Sequence, residues 1–456
     1  RDRSAAARLR ARYGAAVGGY VDQAAVFLRV AGEWPRPGGR VVLIQPESVL
    51  GARDAEGVRT AVADRADLVG LWVAGEPAFA AAVDVCAPVL EVRESVSSTG
   101  PTGSGPLASG APEPTPTDLD PRGTESRGDR RRASAGHQAD VPGRGAAPVP
   151  RTVEVPGAVA HEVSGADGVG AAVRGAVGGQ ALVARADGVG VRAGASVPRP
   201  TGPAWAPLLA EARGVPVVDL GPGAGEVGDM ATATAGFRQH FYALAPHLSE
   251  HPDVDAPAAV AGDLAPVLTT GLVDPVTFLW GTRRARIAGM SWSRPMVDLG
   301  AVAGEDPTVA EWLRSRLQPK VVVAPQTRVV EAAVDAGGRF VPGVPLVSVE
   351  LIHPAADPEP DLWLLVAALS APPVTAWALS LAAGTARHRD ALRLSARQVR
   401  TVPLPTDRAT WEAAAARLRA GRPLAEVGPD LTAAYGLDPD HPVTDWWRAR
   451  LPAPRR

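Results

Sequence analysis

The chain contains no asparagine, a single cysteine and a single lysine among its 456 residues. The missing Asn removes any active site built on that side chain. Cys86 has no second cysteine to pair with, which excludes an internal disulfide. It stands in the apolar run Val83 to Leu90 with no His in a recognisable catalytic pattern, so it reads as a buried structural thiol rather than a nucleophile. Apart from Lys320 every fixed cation is Arg, a skew that fits a GC-rich coding sequence, so Arg abundance alone carries no functional weight. No run of about 18 apolar residues is present to span a bilayer, and no signal peptide precedes the first elements; a cytoplasmic protein without a membrane partner is expected. His240, His247, His353 and His388 are scattered without metal-ligand spacing, no paired carboxylates are evident, and Asp22 and Glu76 read as structural.

What is present is a large apolar fraction, 46%, enough for a sizeable core distributed over two or three domains. A formal net charge of -2 argues against a generally basic polymer binder but leaves room for a local basic groove, since groove charge rather than total charge steers DNA. Four segments are expected. Residues 1–93 are α/β in pattern: two candidate helices, the β-rich run Arg40 to Ile44 after the turn Pro37-Gly38-Gly39, a helix from Asp54 to Ala66, and the apolar runs LVGLWV and VDVCAPVL. Strand, helix and strand in that order predict a parallel sheet.

Residues 94–203 are rich in Gly, Ala, Pro, Ser and Arg and hold no Phe, Tyr, Trp, Ile or Met, the composition of a linker or disordered insert. Short Val-bearing runs between Val153 and Val197 leave room for an edge strand, and the basic run Arg127 to Arg132 reads as a solvated tail or a nonspecific tether. From 204 to 405 apolar strands (VPVVDL, VTFLW, KVVVAP, LVSVEL) alternate with helical patterns such as Asp361 to Leu379. Residues 406–456 form a helical C-terminal segment.

Arg36 to Leu90 resembles part of the adenine-specific DNA methyltransferases, whose reaction requires the base to be flipped out of the duplex and its amino group held beside the donor. The holding group in such enzymes is an Asn/Asp/Ser-Pro-Pro-aromatic tetrapeptide. Here the only Pro-Pro is Ala371-Pro372-Pro373-Val374, which has neither the polar acceptor nor the ring. One Gly-rich stretch, Val217 to Glu226, offers Asp219, Gly221, Gly223 and Gly225 for a cofactor loop; the competing reading is a flexible lead-in to a helix around Thr232 to Leu244.

Beyond these motifs, Arg36 to Leu90 resembles the second half of the catalytic domain of adenine-specific DNA methyltransferases of the restriction-modification type, in the gamma arrangement. Tyr20 to Leu28 is similar to the helix that follows the catalytic tetrapeptide there, and Arg36 to Pro46 to the next strand. Gly75 to Phe79 falls where the family places an aromatic against the flipped adenine, which makes Phe79 the base-stacking candidate; a core Phe is the competing reading. Trp205 to Pro405 resembles the target-recognition regions of the same proteins. The resemblance implies an α/β fold: a partial Rossmann-like methyltransferase core plus an α/β or α+β target-recognition domain with a helical C-terminus.

The same likeness implies site-specific transfer of a methyl group from S-adenosylmethionine to adenine N6 in double-stranded DNA. It also implies a truncated form that binds DNA but needs a complementing N-terminal methyltransferase chain, or a restriction subunit, because the first half of the domain does not lie upstream of Arg36. The alternative is a non-catalytic sequence-specificity subunit. The expected DNA contacts are Arg283, Arg284 and Arg286 after the strand ending at Trp280, with Lys320, Arg328 and Arg339 flanking the next strand pair; solvated loop charges are the bland alternative.

Overall fold

The computed structural model describes residues 3–17, 21–75, 83–94, 180–187, 190–236, 238–252, 259–386 and 388–453. Helices and strands mix in an α/β fold with several small sheets. The helix Gln23–Ala31 begins where Asp22 accepts the amide of Ala24 at 3.0 Å, satisfying one of the amides that a helix start leaves open.

The first sheet contains β1 (Arg40–Val42), β2 (Gln45–Pro46), β3 (Ala66–Ala74), β4 (Val85–Val92), β5 (Gln180–Asp187) and β6 (Gly190–Pro198). Its order is β1-β4-β3-β5-β6, with β2 also beside β4. The expected parallel strand-helix-strand pairing needs correction. β1 and β3 do run the same way, but β4 lies between them, reversed, and pairs with both. Seven of its eight residues are buried, the pattern of a central strand, whereas β1 alternates exposed and buried as an edge does. β3 pairs in parallel with β5, and β6 closes the far edge. The helix expected over Asp54 to Ala66 is shorter: a tight turn at Arg53–Ala55 leads into Glu56–Ala63, and Ala66 already opens β3.

The remaining strands are β7 (Ala231–Ala235), β8 (Leu248–Glu250), β9 (Leu264–Leu268), β10 (Val273–Asp274), β11 (Thr277–Phe278), β12 (Ala285–Ile287), β13 (Met290–Trp292), β14 (Pro295–Asp298), β15 (Lys320–Ala324), β16 (Glu331–Asp335), β17 (Val341–Pro342) and β18 (Val347–Leu351). They form an antiparallel sheet β16-β15-β18-β7, a sheet β17-β9-β14-β8, and two separate ribbons, β10-β11 and β12-β13. Two expectations fail here. VPVVDL is not a strand; Val217 is 74% exposed and the chain runs on into turns. ATATA is β7 rather than the start of a helix, because β18 offers an edge along which all five residues pair, and the helix begins only at Arg238. The long apolar run also divides, into helices Glu359–Leu369 and Pro372–Ala382 that bend by 59°. Pro372 and Pro373 lack the amides that would continue the first helix but suit the opening turn of the second.

One hydrophobic core runs from Val17 to Trp447. It joins Leu28, Leu50, Leu71 and Leu90 of the first segment to Leu209, to Val321 and Val349 of the second sheet, and to Trp411 and Trp447 of the C-terminal helices. Fully burying a side chain of this size stabilises by roughly 1.5–3 kcal/mol, so the cluster is the main cohesive element. Glycine permits the closest approach. A Cβ on Gly51 would lie 2.5 Å from the carbonyl of Ala383, and one on Gly384, which has φ +80°, 2.5 Å from that of Glu47. Among the described residues no single helix is long and apolar enough to cross a membrane.

Candidate nucleic-acid interface

The ribbon β12-β13 is built from six strand residues and a two-residue turn. Ala288 (φ 53°) and Gly289 (φ 83°) both take the left-handed conformation of the tight hairpin turn that follows strand twist. Alternation then sorts the side chains. Ala285, Ile287 and Trp292 are buried, Ile287 and Trp292 within a second hydrophobic cluster, while Arg284, Arg286 and Ser291 face outward. Trp292 Nε1 donates to the carbonyl of Ile287 at 3.1 Å, locking the underside.

On the outward face Arg284 donates from Nε to Ser291 Oγ at 3.2 Å and from a terminal nitrogen to the Ser291 carbonyl at 3.1 Å. Arg286 donates to the Gly289 carbonyl at 3.1 Å. Arg283 stands just before the ribbon, 4.0 Å from Asp274. Arg283, Arg284 and Arg286 are therefore brought together and left exposed.

Two further residues join Arg284 in an open groove. His251 and Arg294 line it with Arg284, Ser291 and Met290, and Met290 is 54% exposed. The Arg294 guanidinium lies 6.0 Å from the centre of the Trp280 ring, and its Nε is buried without a hydrogen-bond partner. Glu250, the acid of the groove, uses its carboxylate on the backbone amides of Ser293 and Arg294. Arg294 is not adjacent to the other arginines in sequence, and Trp292 two residues earlier is the available signal for its position. Cationic forks over a shallow groove suit polyanion contact.

The other cations lie elsewhere. Lys320 is corrected: it is fully buried and its ammonium is paired with Asp335, so it cannot meet DNA. Burial pulls its pKa down, opposed by the Asp335 charge and hydrogen bond. Arg328 is exposed, and its carbonyl takes the Nε of Arg450 near the C-terminus. Arg339 is exposed in the turn after β16, over the ring of Phe340 at 5.9 Å.

The Gly-rich loop is held against a neighbouring segment. No strand leads into it, and its polar groups are engaged: Asp219 accepts the amide of Gly221 at 2.9 Å, Ala224 and Val227 donate to the carbonyls of Leu404 and Val402, and Leu404 donates to Gly225. A Cβ on Gly223 would meet the Leu404 carbonyl at 2.8 Å, and one on Gly225 the Asp229 carboxylate at 2.7 Å. Gly223 and Gly225 serve the docking of this loop on residues 402–404, while Gly221, at φ +56°, faces open space. Pro372 and Pro373 are buried at a helix start, out of reach of any base.

Phe79 and Glu76 lie outside the described residues, as do Tyr20 and Arg127 to Arg132. The flanks of the 76–82 stretch are tied by Arg389, which donates to the Gly75 carbonyl and pairs with Asp84 at 2.7 Å. Beside it the buried Glu47 pairs with Arg213. Burial raises the Glu47 carboxyl to about 7; Arg213 and Arg389 oppose the rise and Asp84 adds to it. Cys86, fully buried on β4, has its thiol pushed up by burial and then by Glu47, as an inert thiol should.

No known protein family matches the sequence, and no curated protein does. Among solved structures, a type IIG restriction endonuclease, BpuSI, aligns over 98% of this chain and 52% of its own, with 10% identity and a TM-score of 0.29. This chain thus spans about half the length of that enzyme. At that score the backbones diverge too far for the likeness to assign a role.

Proposed function

We propose that this chain is the DNA-reading part of an adenine-specific methyltransferase of restriction-modification type. The observation that carries the reading is the arginine-bearing ribbon β12-β13, within the region that resembles a target-recognition domain. Its buried Ala285, Ile287 and Trp292 fix it to the body of the protein while Arg284 and Arg286 project outward. A two-stranded ribbon is narrow enough to enter the major groove, where Arg matches guanine edges and phosphates alike. In this reading Arg283 and Arg294 flank the ribbon as backbone contacts.

The full activity, methyl transfer from S-adenosylmethionine to N6 of a flipped adenine, needs a complementing N-terminal chain. That partner supplies both the cofactor loop and the tetrapeptide, since Gly223, Gly225 and Pro372-Pro373 are committed to packing here. Without it the chain binds DNA and methylates nothing, because a base with nothing to hold it beside a donor does not react. The buried Pro-Pro also favours a second reading, a specificity subunit with no catalytic partner.

The test is duplex binding by the full chain as salt is raised. The expected result is an affinity that falls steeply with salt and that weakens in Arg284→Ala/Arg286→Ala. Salt-independent binding, or none, ends the reading. Co-expression with a chain bearing an Asn-Pro-Pro-aromatic tetrapeptide and a Gly-rich cofactor loop then separates the two versions: methylation supports the split enzyme, its absence the specificity subunit.

A further inference from the structure

Arg286, on β12, and Arg284, immediately before it, are both exposed, with the buried Ala285 between them. Side chains two residues apart on a strand are separated by about 6.8 Å, which projects onto roughly two base-pair steps of 3.4 Å each. Both guanidinium groups are tied to the ribbon itself: Arg284 by one edge on the hydroxyl and carbonyl of Ser291, Arg286 by one terminal nitrogen on the carbonyl of Gly289. Arg carries five N–H donors in a fixed plane, so this anchoring orients the fork and leaves donors over for a ligand. An oriented fork matches the paired O6 and N7 acceptors of guanine, whereas a mobile cation serves as well for phosphate. The register places Ser291 opposite Arg286, so the hydroxyl that steadies Arg284 sits between the two forks.

From this geometry we infer that the ribbon reads two guanines on one DNA strand separated by a single intervening base pair, Arg284 taking one and Arg286 the other. The inference rests on the DNA-reading role above and adds its sequence preference. Arg283 and Arg294, one beside Asp274 and the other against Trp280, take no part in that preference.

The experiment is selection of bound duplexes from a randomised pool by the full chain, followed by affinity measurements on the selected site. Wild type is compared with Arg284→Lys and Arg286→Lys, both checked for unchanged circular dichroism. Lysine keeps the charge but loses the two-pronged fork. The expected outcome is guanine at two positions with one base pair between them. Each lysine variant loses discrimination at one of these positions by on the order of tenfold, while its salt dependence stays that of wild type. A preference at adjacent or more distant positions, or one that neither variant moves, overturns the inference and leaves the DNA-reading role standing. If wild type binds no duplex at all, both fall.

Discussion

Nζ of Lys320 lies 2.6 Å from Oδ2 of Asp335, and both side chains are wholly shut off from solvent. The two residues face each other across β15 and β16, in the register Lys320↔Asp335. The same carboxylate also takes the amides of Arg339 and Phe340 at 2.9 and 3.0 Å, which fastens the turn after β16. Lys320→Met would leave a buried carboxylate without its counter-charge, a loss of about 3–5 kcal/mol. Urea unfolding should show that loss, while the salt dependence of duplex binding remains that of wild type. A variant with normal stability and weakened DNA binding would return Lys320 to the interface.

The ribbon arginines should behave oppositely. Arg284→Ala/Arg286→Ala is expected to keep its melting temperature, since both side chains are exposed, and to lose on the order of a hundredfold in affinity for the selected duplex. Arg328→Ala, at an exposed position whose carbonyl takes the Nε of Arg450, should change affinity by less than about threefold, within the small effect expected of a surface substitution. Fluorescence anisotropy at fixed salt decides; equal losses in the two variants would dissolve the case for a localised interface.

Much of the fold was legible where β-branched runs are long and continuous. KVVVAP, LVSVEL, LVGLWV and VDVCAPVL all became strands, and the paired helices around Pro372 were visible as an apolar run. Strand order was not legible, because placing β4 between β1 and β3 depends on contacts remote in sequence. VPVVDL failed for a related reason: its propensity is outweighed by the docking of the following loop on residues 402–404. The arginine cluster was visible as adjacent letters. The burial of Lys320 was not legible, because a strand residue beside three valines faces either way until its cross-strand partner is known.

Glu47 introduces a pH dependence. The folded protein holds this proton up to about pH 7, whereas an ordinary carboxyl releases it near 4.5. Its contribution to stability is therefore fully present below pH 4.5 and is lost as pH rises toward 7, each unit of separation being worth about 1.4 kcal/mol. Thermal melts of wild type and Glu47→Gln across this window should show wild type losing ground steadily relative to the variant. Parallel curves would mean that Arg213 keeps Glu47 ionised throughout.

The docked glycine loop predicts a graded response. Gly223→Ala combines φ +62° with a clash against the Leu404 carbonyl and should cost about 1–3 kcal/mol, whereas Gly221→Ala, at φ +56° in open space, should cost about 1 kcal/mol. Isothermal calorimetry of the full chain with S-adenosylmethionine should give no binding heat. Saturable binding abolished by Gly221→Ala would restore the loop as a cofactor site.

The parallel pairing of β3 with β5 joins residues 66–74 to residues 180–187 along five consecutive registers. A protease cut anywhere between Glu94 and Gln180 would therefore yield two peptides on a denaturing gel and one particle on a sizing column. By the same reasoning, the gene could be divided there and its two products would be expected to find each other again.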